Sequence, residues 1–170
     1  IIRHIKIIFF ATEEFKIMKR SVKQLLVTVF SIVTLGYIAS ISAHESPRVI
    51  LDPEGNNPSF LAYASVSCFD DGNGAPDNMV ISVQDFSAPQ ANLLVSAQVI
   101  GKFHAAQTTD LVSGDGGYSA EVRVHEGAGP YLLLINKSGP GPREFVLTYH
   151  CLTIDGIHTG TNDPMVIQFQ

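Results

Sequence analysis

Phe145-Val-Leu-Thr-Tyr-His-Cys151 is the stretch on which the fold turns. Side chains of an extended strand alternate between two faces, so Phe145, Leu147, Tyr149 and Cys151 share one face. An equivalent face lies upstream in Phe60-Leu-Ala-Tyr-Ala-Ser-Val-Ser-Cys68, where Phe60, Ala62, Ala64, Val66 and Cys68 alternate in the same way. If the two cysteines pair across a core, these faces look at each other. His150 then points away from the core and is expected on the surface, as is His125 among its charged neighbours.

Around these two stretches the apolar segments are short, broken every ~8 to 12 residues by Gly, Pro, Asn and Asp, the rhythm of an antiparallel β-sandwich rather than of helices. Strands are predicted near Arg48–Leu51, Phe60–Phe69, Met79–Phe86, Leu93–Phe103, Tyr118–His125, Tyr131–Asn136, Glu144–Ile154 and Met165–Phe169. The turns between them carry suitable chemistry, as in Asp52-Pro53-Glu54-Gly55 and Ser138-Gly139-Pro140-Gly141-Pro142, where Gly supplies positive φ and Pro presets a turn position. Pro89-Gln-Ala-Asn-Leu-Leu can instead open a short helix. The expected fold is all-β, an Ig-like or jelly-roll-like sandwich of about seven to eight strands.

The N-terminal part reads differently. Residues 18–43 contain a basic start (Met18-Lys-Arg), an apolar run from Leu25 to Ala39 and a small-residue end, Ser40-Ile-Ser-Ala43. These are the three regions of a secretory signal, with cleavage after Ala43. The apolar run is interrupted by Thr28, Ser31, Thr34 and Gly36 and falls short of the ~20 apolar residues of a spanning helix. Residues 1–17 hold no methionine and precede Met18, so they read as an untranslated upstream extension. The expectation is one exported domain, residues 44–170, in a bacterial periplasm or outside the cell, with no membrane insertion after cleavage.

Residues 44–170 carry five Lys/Arg against fourteen Asp/Glu, a formal charge of −9. So acidic a domain offers no basic footprint for nucleic acid and is repelled by anionic lipid. Nothing in the sequence identifies a protein partner. Its two cysteines suit one bridge in an oxidising compartment. By the chain-entropy model, a Cys68–Cys151 disulfide is worth roughly 4 kcal/mol.

Enzyme signatures are missing. There is no Gly-x-Ser-x-Gly elbow, no His-Glu-x-x-His, no P-loop and no dinucleotide fingerprint, and a non-enzymatic protein is expected. The stretch from Asp70 to Asn78 gathers oxygen donors, with Asp70, Asp71, Asn73 and Asp77 as a candidate calcium loop. It lacks the full calcium-loop spacing and the bidentate Glu, and it reads first as a polar turn. His44 differs from the other histidines, because cleavage after Ala43 makes it the new N-terminus. Its α-amine and imidazole then chelate one metal together, and such nitrogen donors suit Cu(II).

The C-terminal stretch Phe145-x-Leu147-x-Tyr149, followed by Asp155-Gly156-Ile157-His158-x-Gly160 and ending at Phe169, resembles the closing strands of CopC-type periplasmic copper-resistance proteins. His44-Glu-Ser-Pro47 fits the family's opening. The resemblance implies a small β-sandwich that binds Cu(II) through the terminal histidine, the aspartate and the turn histidine, here His44, Asp155 and His158. The chain departs from the family in a turn one residue longer and in its cysteine pair. The middle, Asn57 to Gly141, shows no match.

Two other readings stay open. Cys151, His158 and Met165, with His104 upstream, stand in the order of a cupredoxin-like electron-transfer site, which requires Cys151 as a free thiolate. Gly129-Pro-Tyr131-Leu-Leu-Leu and the strand from Phe145 also suit a metal-free accessory or adhesion module. The copper reading makes one structural demand, that His44 lie within reach of His158.

Overall fold

The computed structural model describes residues 44–170. The signal peptide expected over 18–43 and the upstream extension expected over 1–17 lie outside the described residues. The described chain is all-β, with strands β1 (His44–Glu45), β2 (Val49–Leu51), β3 (Leu61–Phe69), β4 (Asn78–Asp85), β5 (Val95–Ile100), β6 (Ala105–Asp110), β7 (Val122–Val124), β8 (Gly129–Lys137), β9 (Arg143–Leu152), β10 (His158–Thr161) and β11 (Met165–Phe169). Their pairings are antiparallel.

The strand order β6-β5-β8-β3-β10-β9-β4-β7 wraps two layers around one core. β10 belongs to both. His158 and Thr159 pair with Leu152 and Cys151 of β9, whereas Gly160 and Thr161 pair with Phe69 and Cys68 of β3. The Cys68–Cys151 disulfide forms at the same seam, with a Cα–Cα separation of 5.6 Å. Both alternating faces recognised in the sequence are buried, Ala62, Ala64, Val66 and Cys68 from β3 and Phe145, Leu147, Tyr149 and Cys151 from β9.

Gly160 sits where β10 passes from one layer to the other. A Cβ there would lie 2.6 Å from the Phe69 carbonyl oxygen and 2.5 Å from two of its ring carbons. Because the obstacle includes backbone, relief requires the strands to separate, so Gly160→Ala is expected to cost about 1–3 kcal/mol. A lowered urea midpoint at unchanged slope is the readout. An unchanged midpoint would contradict the close approach.

The strand count is eleven rather than seven or eight, for local reasons. Leu93–Phe103 yields only β5, since the chain turns at Gly101–His104 and returns as β6. Ala-Ala-Gln-Thr-Thr-Asp of β6 lacks the apolar alternation that marks a strand, and its buried members are Thr108 and Asp110. β10, His-Thr-Gly-Thr, is polar for the same reason. Pro89–Leu94 forms a turn, with Leu93 N–H donating to Gln90 O and Asn92 at φ 61, a left-handed conformation that stops a helix. Of Tyr118–His125 only β7 pairs with β4, while Ser119 makes separate bonds to Val83.

Candidate metal centre

β4 lines one side of β9 along most of its length, from Asn78 opposite Leu152 to Asp85 opposite Phe145. The other side is shared by three short pieces. β2 covers Arg143 to Phe145, β1 covers Thr148 and Tyr149, and β10 covers Cys151 and Leu152. His44 stands opposite Tyr149 and His158 opposite Leu152, on one edge of one strand. His150 lies between those two register positions.

Ser46 fixes β1. Its N–H donates to Leu147 O at 2.8 Å, and its hydroxyl accepts from Leu147 N–H at 3.0 Å. The Tyr118 hydroxyl donates to the Glu45 carboxylate from the neighbouring loop. His44 is therefore held in place by the two residues that follow it.

Cross-strand partners share a face, so His158 takes the face of Leu152 and hence of His150. Their rings stack with centroids 4.6 Å apart and planes at 27°. His44 takes the Tyr149 side, its ring centroid 5.8 Å from that of Tyr149. Because β1 runs antiparallel to β9, the α-nitrogen of His44 lies on the His150 side of its own Cα. His44 Nδ1 and His150 Nδ1 are both buried without a hydrogen-bond partner. His44 Nδ1 is the nitrogen that closes a chelate ring with the residue's own α-amine.

His150 is thus not the exposed surface residue expected from strand alternation; it is 9% exposed. Burial pushes its imidazole below the ordinary value, His158, His44 and Arg123 push the same way, and Glu121 opposes them. The folded domain keeps His150 neutral at pH values where the unfolded chain takes up a proton, near about 6.5. The metal-free domain therefore keeps its full stability above about pH 6.5 and loses some as pH falls toward the lower folded value. Urea midpoints at about pH 7.5 and about pH 5.5, above the range in which carboxylates titrate, are expected to show this fall. His150→Gln is expected to diminish it, and an equal fall in both proteins would contradict the assignment.

Asp155 is placed differently. It sits at the exposed tip of the β9–β10 turn between Ile154 and Ile157, both also exposed. Thr153 closes this turn, its N–H donating to Ile157 O and its hydroxyl accepting from Ile157 N–H. Among the described residues, no three His, Cys, Asp or Glu side chains are arranged to hold a metal. His44, Asp155 and His158 are therefore not a preassembled side-chain triad. The α-amine of a mature His44 would be an additional donor beyond the side chains.

The other candidates are occupied by the chain itself. In the candidate calcium loop, Asp70 accepts from Gly72 and Gly74 N–H and Asp71 accepts from Asn73 N–H, the bonding of a polar turn. Asp77 accepts from the Asn78 amide and pairs with His125 Nδ1 at 2.7 Å. Cys151 lies in the disulfide, so the thiolate required by a cupredoxin-like site is not present. His104 pairs with Glu126, which also accepts from the backbone N–H groups of Lys102, Phe103 and His104.

No family model, curated protein or solved structure matches this chain.

Proposed function

We propose that the chain is the precursor of an exported, non-enzymatic Cu(II)-binding protein whose site is completed when cleavage frees the His44 amine. The amine and Nδ1 of His44 form the chelate, and His158 adds a further nitrogen. One observation carries this reading: the chelating Nδ1 of His44 is buried and unpartnered at the edge of β9 that His158 also joins, the His44 ring on the Tyr149 face and the His158 ring on the Leu152 face. A buried polar atom without a partner is costly, and a bound ion would satisfy it. Neutral nitrogen donors favour Cu(II) over the other common divalent metals. The ion would supply charge at a site whose donors carry none.

His158→Asn tests the reading. Copper affinity is expected to fall at least about tenfold, or ~1.4 kcal/mol, while the urea midpoint of the metal-free protein changes little. Unchanged affinity would remove His158 from the site.

A metal-free interaction module is the second reading, favoured by β11. Met165, Val166, Ile167 and Phe169 are 63%, 65%, 51% and 42% exposed on a strand that, among the described residues, pairs with β3 alone. Beside it opens an apolar groove of about 300 Å³ floored by Ala62, Leu133, Phe145 and Leu147. Absence of tight copper binding would favour this reading.

A further inference from the structure

We propose that the groove between the two layers binds the alkyl chain of an uncharged, single-chain amphiphile. This inference is independent of the copper reading; it rests on the groove that favours the interaction module and names its ligand class.

Incomplete closure of the layers is the first argument. On β11, Val166 stands opposite Ala64 and Phe169 opposite Ala62, and cross-strand partners share a face, so both side chains take the core side of β3. They are nevertheless 65% and 42% exposed. Phe169 is not loose, since its ring meets that of Phe60 edge-on at 5.1 Å. The opposite lip of the groove is the segment joining β1 to β2, through Ser46, Pro47 and Val49.

Size is the second. Ala62 and Ala64 leave space between Leu133 and Ile135 of β8 and Phe145 and Leu147 of β9, and the groove holds about 300 Å³. An apolar cavity of ~150 Å³ lined by Leu, Ile and Phe stays dry and takes up a benzene-sized molecule, so twice that volume suits roughly ten to twelve carbons. The β11 side of the lining, from Pro164 to Phe169, spans roughly 17 Å of extended chain, which makes the groove long rather than round.

Polarity is the third. Among the described residues, no charged side chain lines the groove. The Ser46 hydroxyl is already engaged, donating to Pro47 O and accepting from Leu147 N–H. A peptide laid between the layers would bury N–H and C=O groups among apolar side chains, a cost that methylenes do not incur. Glu45 precedes one lip and Asp163 the other, in a domain of formal charge −9 that repels an anionic head. The head is therefore uncharged and stays in solvent.

Calorimetric titration of metal-free protein beginning at His44 with straight-chain primary alcohols tests this, with methyl NMR to locate the site. Decanol is expected to bind once and to shift the methyl resonances of Leu133, Leu147 and Val166. From hexanol to decanol, affinity is expected to rise about fourfold per methylene. Ala62→Leu fills the groove, and Val166→Asp charges its lip at an exposed position. Each is expected to weaken decanol binding at least about tenfold, and decanoate to bind the unmodified protein at least about tenfold more weakly than decanol. Either variant decides the matter if the other folds poorly. No saturable decanol site, a flat chain-length series, full affinity in a folded variant, or decanoate bound as tightly as decanol would overturn the proposal. Groove methyls that shift with protein concentration would overturn it in favour of a second copy, which keeps the interaction module. Copper bound beside an empty groove defeats the alkyl ligand alone.

Discussion

Replacing Cys68 and Cys151 together with alanine is expected to lower the stability of the domain by about 4 kcal/mol. The melting temperature should fall by roughly 15 °C for a domain of this size. The bridge joins residues separated by 83 positions, so its chief effect is on the unfolded chain, whose loop-closure entropy it removes. The native contribution is local. Both cysteines are buried at the seam where β10 passes from β9 to β3, and their bridge adds a covalent cross-link there to the backbone of β10. Denaturant unfolding of the double variant against the oxidised parent measures the difference. A loss below about 1 kcal/mol would mean that β10 and the core close the seam without the bridge.

The layered core was legible in the sequence because its strands obey a simple period. Ala62, Ala64, Val66 and Cys68 alternate with partly exposed residues, and so do Tyr131, Leu133 and Ile135 of β8. The disulfide was legible too, since the two cysteines end matching apolar faces. β6 and β10 were not legible, because the first buries threonine and aspartate and the second carries almost no apolar side chain. Two buried ion pairs were equally silent. Lys137 Nζ donates to Asp52 at 2.7 Å and to the carbonyls of Asn57 and Gly139, and Arg143 lies 3.6 Å from Asp85. In a linear reading, a lysine at the end of a strand and an arginine at the start of another both look like solvent-exposed residues.

The histidines of the candidate site were legible as candidates, not as a geometry. His44 stood out through cleavage chemistry, and His158 through a motif. His150 was assigned to the surface because alternation alone places it opposite Cys151 and Tyr149. Its burial follows from β10, a strand that alternation does not reveal. Once β10 is paired so that His158 faces Leu152, the two histidines must share a face. The usable signal was the hairpin register, with a five-residue turn from Thr153 to Ile157 joining Leu152 to His158. Asp155 was singled out by the motif alone, and it sits at an exposed turn tip.

The most direct measurement compares Cu(II) binding by two samples of the domain, one beginning at His44 and one with a single extra residue ahead of it. The extension leaves every imidazole in place but turns the His44 α-amine into an amide, which breaks the chelate ring. A competition titration with a chelator of known affinity, followed by electron paramagnetic resonance, reports both strength and donor set. The expected result is one tight, nitrogen-rich site in the authentic protein, weakened by about a thousandfold or more, ~4 kcal/mol, in the extended one. Equal affinity and identical spectra in the two samples would contradict a site built on the mature N-terminus.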